Sequence, residues 1–481
     1  METSLKLQIT LESLGLVRAE LALSIGILVL IVFGLINKKF AVAKVLAAII
    51  SVLNAALLLT DFAPTESVRL FNGMLIHDTF NFSLRVVTAL TGLIIVTISQ
   101  SQSITKYAAE YFTLVLTIVL GAQLLAMSNH MAMVIISLEL MSIPAYVLAG
   151  FAFTKESAEA SMKYFIYGSV ATACMIFGMT WLYGLGKGLE IGSPAFIDQL
   201  GYNNNIVLFA ACLLVLAGLL FKMAATPFHL WAPDVYQATP YPTLALFSTI
   251  PKIAAGAVLF KAISWFSLNG QSKYDWQTMA CALAILTLAI GNFSALLQKN
   301  MKRLIAYSSI GQAGFLLSAT VIQTADGSRF FLFYAIVLAI GTILVFLMLD
   351  YFQFKYKAQT VSEFAGIGRQ NPLPAILLTI GLLSLTGLPI TAGFTAKLLV
   401  FSGVLEVWQT TGKPIILALF VFGLLNTVIA LYYYLQVPYQ MFLKTVDGSS
   451  AKSLSKTEIA IGLLLALGLI ALFIWPSAIL A

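Results

Sequence analysis

Long apolar runs, each closed by a short polar segment, recur from one end of the chain to the other. A run of about 20 apolar residues crosses a hydrocarbon core of about 30 Å as a helix. Read in this way the chain predicts about fourteen spans, at 21–36, 45–59, 86–99, 112–126, 134–153, 164–185, 206–225, 243–266, 280–297, 304–322, 330–352, 375–400, 415–435 and 459–475. The fold class expected is an all-α polytopic membrane protein. No polar stretch between spans is long enough for a soluble domain of useful size.

Two spans are interrupted. The seventh reads GLLFKMAATPFHLW around Pro227 and the twelfth SLTGLPITAGFTAKLLVF around Pro389. Paired interruptions in corresponding positions point to an inverted-repeat transporter core. Pro and Gly are common in membrane helices generally, but here a lysine accompanies the break both times. With an odd number of spans per unit, the second copy inserts upside down. The organisation expected is three helices over 1–108, a first five-helix repeat over 109–268, an inverted second repeat over 275–440, and a loop with the last helix over 441–481.

Composition agrees: 60% of residues are hydrophobic and 10% charged, against roughly 45–50% and about 25% in a soluble domain. Charge adds an orientation. With the N-terminus outside, the cytoplasmic connections hold Lys38, Lys39, Lys44, Lys106, Lys155, Lys299, Lys302, Arg303, Lys355, Lys357, Arg369, Lys444, Lys452 and Lys456. The opposite loops and the termini hold Lys6, Arg18, Arg69, Arg85, Lys187, Lys273, Arg329 and Lys413. That asymmetry follows the positive-inside rule and puts both termini outside. It also accounts for the net charge of +7, which is therefore no nucleic-acid footprint. Residues 1–20 lack a basic start, apolar run and small-residue cleavage site, so the first span reads as retained.

Candidate chemistry lies in the few ionisable residues inside spans. Glu139, Lys222, Lys252 and Lys397 occur in SLELMS, LFKMAA, TIPKIAA and FTAKLL. A charge at the bilayer centre costs about 2.5–3.5 kcal/mol on insertion scales, so such residues face a wet or protein-lined path. Removal from water disfavours a charged lysine and a nearby carboxylate favours it, so a buried lysine can exchange a proton near neutral pH. Glu139 reads as the only acid well inside a span and as the partner for one of the lysines. Lys261 lies near the outer end of the eighth span, where snorkelling explains it, and is left out. Lys163 sits at the cytoplasmic mouth of the sixth span, as an interfacial anchor or a relay member. His229 follows Pro227 and either relays protons or hydrogen-bonds locally in the broken helix. Asp234 reads as a structural loop residue, and His77 and His130 as outside-loop residues without companion metal ligands.

Cys174, Cys212 and Cys281 each sit alone in an apolar run, with neither metal-ligand nor cluster spacing. There is no G-x-G-x-x-G after a strand.

The run PFHLWAPDVYQATPYPT with Lys222 before it resembles the signature of the antiporter-like membrane subunits of respiratory complex I, the NADH-quinone oxidoreductase, and its phrasing is nearest to the subunit N branch. SLELMSIPAYVLAGF, MKYFIYGS, GNFSALLQKNMKRLIAYSSIGQAGF and GLPITAGFTAK extend the likeness from about the fourth to the thirteenth span. Ala238 and Thr239 depart from the family, which tends to place a glycine and a small residue there. Subunit L is longer, with a lateral helix, and subunit M carries a glutamate where this chain has Lys397. The Mrp-type cation/proton antiporter subunit shares fold and lysines but phrases the Pro-His-Trp run differently; it is the alternative.

The resemblance implies an ion pair of Glu139 with Lys222, a bridging Lys252, Lys397 as outer-half proton carrier and Lys163 as an additional member. It also implies a proton-translocating subunit of the bacterial inner membrane, packed among other membrane-arm subunits and lipid. NADH, FMN, iron–sulfur clusters and quinone are then expected on partner subunits.

Overall fold

A computed structural model describes residues 12–36, 38–61, 66–99, 107–202, 205–267, 272–444 and 456–480. Lys6, Lys106, Lys452, most of the leader reading over 1–20 and the side chain of Lys456 lie outside the described residues.

The chain is a multi-pass membrane protein, almost entirely helical. The first elements are α1 (Arg18–Ile36), α2 (Phe40–Thr60), a hairpin of β1 (Val68–Leu70) and β2 (Leu75–His77), α3 (Thr79–Ile98), α4 (Ala108–Met127) and α5 (Met131–Ala149). There follow α6 (Lys155–Gly186), α7 (Pro194–Tyr202), α8 (Ile206–Met223), α9 (Ala232–Ala238), α10 (Tyr241–Ser248) and α11 (Ile250–Phe266). The rest are α12 (Trp276–Leu296), α13 (Met301–Thr320), α14 (Gly327–Tyr356), a 3-10 turn (Val361–Phe364), α15 (Ile367–Gln370), α16 (Pro372–Thr386), α17 (Ala392–Thr411), α18 (Pro414–Leu443), α19 (Lys456–Ile474) and α20 (Ser477–Leu480). Every expected span has its helix, and among the described residues 12 helical segments are long and apolar enough to cross a membrane.

These helices pack as two compact units, Met1–Lys222 with Ile250–Trp276, and Met223–Thr249 with Gln277–Ala481. In the first, α4 packs against α1, α2, α3, α5 and α11. It is apolar on all sides, as a helix enclosed by others must be. Its buried long polar residue, Gln123, donates Nε2–H to Asn54 Oδ1 at 2.8 Å. In the second, α14 has the same enclosed place, packing against α10, α13, α16, α17 and α19.

Four local expectations change. The eighth span is two helices, α10 and α11, because Pro251 has no N–H to continue the ladder and the chain turns at Thr249. The sixth begins earlier, at Lys155, so Lys163 lies two turns along α6. Asp234 is in the short helix α9, paired with Arg303 Nη1 at 3.3 Å, and not in a loop. Arg85 is inside α3 and fully buried, not in an outside loop. Its guanidinium meets both carboxylate oxygens of Glu20 at 2.7 and 2.8 Å, and this fork-on-fork contact removes the penalty of burying either charge alone. Glu20 is therefore buried within a helix, and Asp350 lies within α14, so Glu139 is not the only acid inside a span.

Candidate functional site

In the first unit the site begins on α5. Glu139 and Ser142 are three residues apart and share a helix face. Lys222, in the last turn of α8 and only 2% exposed, donates Nζ–H to Ser142 Oγ at 2.8 Å. One turn further along α5, the Tyr146 ring centroid is 5.8 Å from the same ammonium. Half-buried Glu139 accepts from Thr172 Oγ1 of α6 at 2.9 Å through Oε1. The carboxylate of Glu139 and the hydroxyl that holds Lys222 thus lie one turn apart on a single helix, while the hydroxyl that holds Glu139 comes from the next.

Lys252 is 1% exposed in the first turn of α11, directly after Pro251. Lys163 stands apart from this buried set: its side chain is 43% exposed and pairs along α6 with Glu159 at 2.9 Å. Lys261 does not snorkel. Its ammonium donates to Asn81 Oδ1 and, at 2.7 Å, to the carbonyl of Ala126, which tie α11 to α3 and to α4. A protein acceptor nearer than water outcompetes the interface for a flexible ammonium.

In the second unit both ends of the first break are visible. Ala224 has φ +55°, and the Thr226–Pro227 peptide is cis. His229 is half-buried in the turns before α9, and its Nδ1 is enclosed with no hydrogen-bond partner among the described residues.

The second break lies between α16 and α17. Gly387 closes α16 at φ +87°, a conformation that favours glycine, and a Cβ there would fall 2.6 Å from Lys397 Cδ. The lysine stem therefore lies directly over the break. A helix end leaves carbonyls without partners inside the helix. Lys397, 4% exposed, takes that of Thr386 at 2.8 Å, and Gln312 Nε2 takes that of Leu385 at 2.8 Å. The ammonium of Lys397 also lies 3.9 Å from the Phe315 ring centroid, within cation–π range.

From Gln312 a row of hydroxyls runs through α13. Tyr334 OH donates to Gln312 Oε1 at 2.6 Å, Gln312 Nε2 also reaches Tyr434 OH at 3.3 Å, and Tyr434 bonds Ser308. The adjacent Ser309 bonds Tyr236 of α9 at 3.0 Å, and Tyr236 bonds Ser248 at 2.9 Å. A cavity of about 10 Å³ beside Ser308, Ser309, Gln312, Thr342 and Leu385 is about large enough for one water. No role for Ser308, Ser309 and Gln312 was legible in the sequence; their spacing on one face of a helix predicted to cross the membrane was the available signal.

Cys174, Cys212 and Cys281 fall on α6, α8 and α12 as free thiols. Among the described residues no three His, Cys, Asp or Glu side chains gather as a metal site.

The family model described as NADH:quinone oxidoreductase/Mrp antiporter, TM, matches residues 128–429, a stretch containing both breaks and Glu139, Lys163, Lys222, His229, Lys252 and Lys397. The NADH-quinone oxidoreductase subunit N of an Anaeromyxobacter species is 35% identical, over 89% of this chain and 87% of its own. Subunit N 1 of Solibacter usitatus is 36% identical, over 85% and 84%. Among solved structures, a chain of respiratory complex I from Thermus thermophilus with bound aureothin superposes with a TM-score of 0.81 at 27% identity, over 96% of this chain and 98% of that one. A chain of the Mrp complex from a Dietzia species also reaches 0.81, at 18% identity over 98% and 96%, a likeness of fold alone.

Proposed function

The chain belongs to the NADH:quinone oxidoreductase/Mrp antiporter family, in its subunit N branch, and on that premise we propose that it is a proton-translocating subunit of a bacterial NADH-quinone oxidoreductase. The observation that carries this reading is the enclosure of Lys222, Lys252 and Lys397 in an apolar helical body. A fixed scaffold gains nothing from three ammonium groups so costly to bury.

In this mechanism Glu139 and Lys222 form the input pair. Quinone chemistry elsewhere in the complex shifts Glu139 relative to Lys222. With the carboxylate close, Lys222 keeps its proton; with Glu139 held on Thr172, Lys222 sheds it toward Lys252. In the second unit a hydroxyl row from Ser248 to Gln312 leads toward the Thr386–Lys397 contact. Lys397 releases its proton outside. Lys163 is an additional member on the opposite side, and the enclosed Nδ1 of His229 suits a relay beside the first break.

Electron transfer from NADH to quinone belongs to partner subunits, which carry FMN and the iron–sulfur clusters; the three separated cysteines of this chain suit none of these groups. Other membrane-arm subunits and the inner-membrane lipid surround the chain, with both termini on the outer side. The repeats proposed are 109–268 and 275–440, flanked by 1–108 and 441–481.

The test is copurification. The chain is expected in a large NADH-oxidising assembly whose proton pumping falls on Lys222→Ala. Flavin absorbance or NADH oxidation by the isolated chain would overturn the assignment. Na⁺ or K⁺ exchange for protons by vesicles holding this chain without NADH-oxidising partners would favour the Mrp-type exchanger.

A further inference from the structure

Away from the lysine row, the second unit carries a groove of about 1010 Å³ along α18. Its floor changes character with depth. Val428, Leu431 and Leu435 line one end, and Gln436, Tyr439 and Gln440 the other, all on the same helical face. From Val428 to Gln440 the face is about 18 Å long at 1.5 Å per residue. That is the length of a long acyl chain with its polar end at the interface.

The polar end is cationic. Lys299 lines it with the hydroxyl residues Thr360 and Ser362. The ammonium of Lys444 lies 5.8 Å from the Tyr439 ring centroid, and Arg369 Nε donates to the carbonyl of Phe442 at 2.7 Å, two residues beyond Gln440. Arg303 reaches Gln298, another lining residue, at 3.4 Å. The acids close by are engaged. Asp234 pairs with Arg303. Glu363 is turned onto the backbone N–H groups of Gln359 and Thr360, which hold its carboxyl below the usual carboxylate range. Lys299 and Lys444 are both exposed at the mouth.

We infer that this groove is a binding site for one anionic glycerophospholipid, with an acyl chain along Val428, Leu431 and Leu435 and its phosphate between Lys299 and Lys444. The polarity gradient selects a lipid over a free phosphate, which has no use for the apolar half. The cation cluster selects an anionic headgroup over a zwitterionic one. A transmembrane helix of a neighbouring subunit would instead meet a cationic cluster at one end and need acids there to match it.

The complex containing the full chain is purified with a photoreactive diazirine amino acid at Val428 and placed in nanodiscs of phosphatidylglycerol or phosphatidylcholine. After irradiation the modified peptide is weighed. A phosphatidylglycerol adduct is expected, with a yield about thirtyfold above that with phosphatidylcholine, the scale expected of two lysines acting on an anionic headgroup. Lys299→Glu with Lys444→Glu is expected to abolish the preference. If that pair prevents assembly, Lys299→Gln with Lys444→Gln takes its place and removes the same charges. Equal yields from the two lipids, a preference that survives charge removal, an adduct to a peptide of another subunit, or no adduct in either lipid overturns the site.

Discussion

Lys222 donates to Ser142 at 2.8 Å, and Ser142 is one helical turn from Glu139. A single helix therefore presents both the hydroxyl on which the lysine rests and the carboxylate proposed to control it. Ser142→Ala removes an acceptor from a buried ammonium, a cost of about 1–3 kcal/mol or more for a charged group. The complex is expected to assemble with proton-coupled quinone reduction reduced several-fold, and Ser142→Thr, which keeps the hydroxyl, is expected to retain most of it. Equal loss in both variants would show that shape at this position matters and the hydroxyl does not.

Thr172 anchors Glu139 at 2.9 Å. Thr172→Val preserves shape and deletes the donor, so Glu139 is no longer held in the position in which Lys222 can release its proton. Coupled turnover is expected to fall by less than in Glu139→Ala or Lys222→Ala, each of which removes a charge of the input pair. Kinetics of the three assembled variants measure the order; a larger loss for Thr172→Val than for Glu139→Ala contradicts the anchoring role.

Lys261 is structural on this account. Lys261→Ala leaves Asn81 Oδ1 and the Ala126 carbonyl without their shared donor, at about 1–3 kcal/mol for each buried group left unsatisfied. The expected result is a lower melting temperature for the complex with an unchanged number of protons per electron in whatever assembles. A changed ratio would move Lys261 into the relay.

Gln312 holds the Leu385 carbonyl and accepts from Tyr334. Gln312→Leu is similar in size but keeps neither contact, so it interrupts the row before Lys397. Pumping in vesicles is expected to fall several-fold, with less effect from Gln312→Glu, which keeps an acceptor for Tyr334. Normal pumping by Gln312→Leu would take the row out of the path.

How far the sequence anticipated this site depends on the reach of each signal. Spans were legible because crossing a bilayer needs about 20 apolar residues in succession, and both breaks because proline and glycine act locally. The three buried lysines stood out because charge is rare in such runs. Partners were not legible. Arg85 and Glu20 are 65 residues apart, Lys261 and Asn81 are 180 apart, and neither pairing has a periodic signature. Arg85 looked like a loop residue and Lys261 like a snorkelling one for that reason. Ser308, Ser309, Tyr236 and Tyr434 are ordinary residue types that become a row only once three helices meet.

The claim at the centre is that Lys397 carries a proton rather than a fixed charge. It lies on the carbonyl freed at Thr386 and over the Phe315 ring, two contacts that any cation of similar reach would satisfy. Arginine is such a cation, yet with a pKa of about 12.5 or higher it does not release its proton. Proton pumping is therefore to be measured in vesicles carrying the assembled complex with Lys397→Arg beside Lys397→Ala. The account predicts that Lys397→Arg assembles and loses pumping and coupled turnover nearly as completely as Lys397→Ala. Near-normal pumping by Lys397→Arg would contradict it and leave Lys397 an electrostatic anchor across the break.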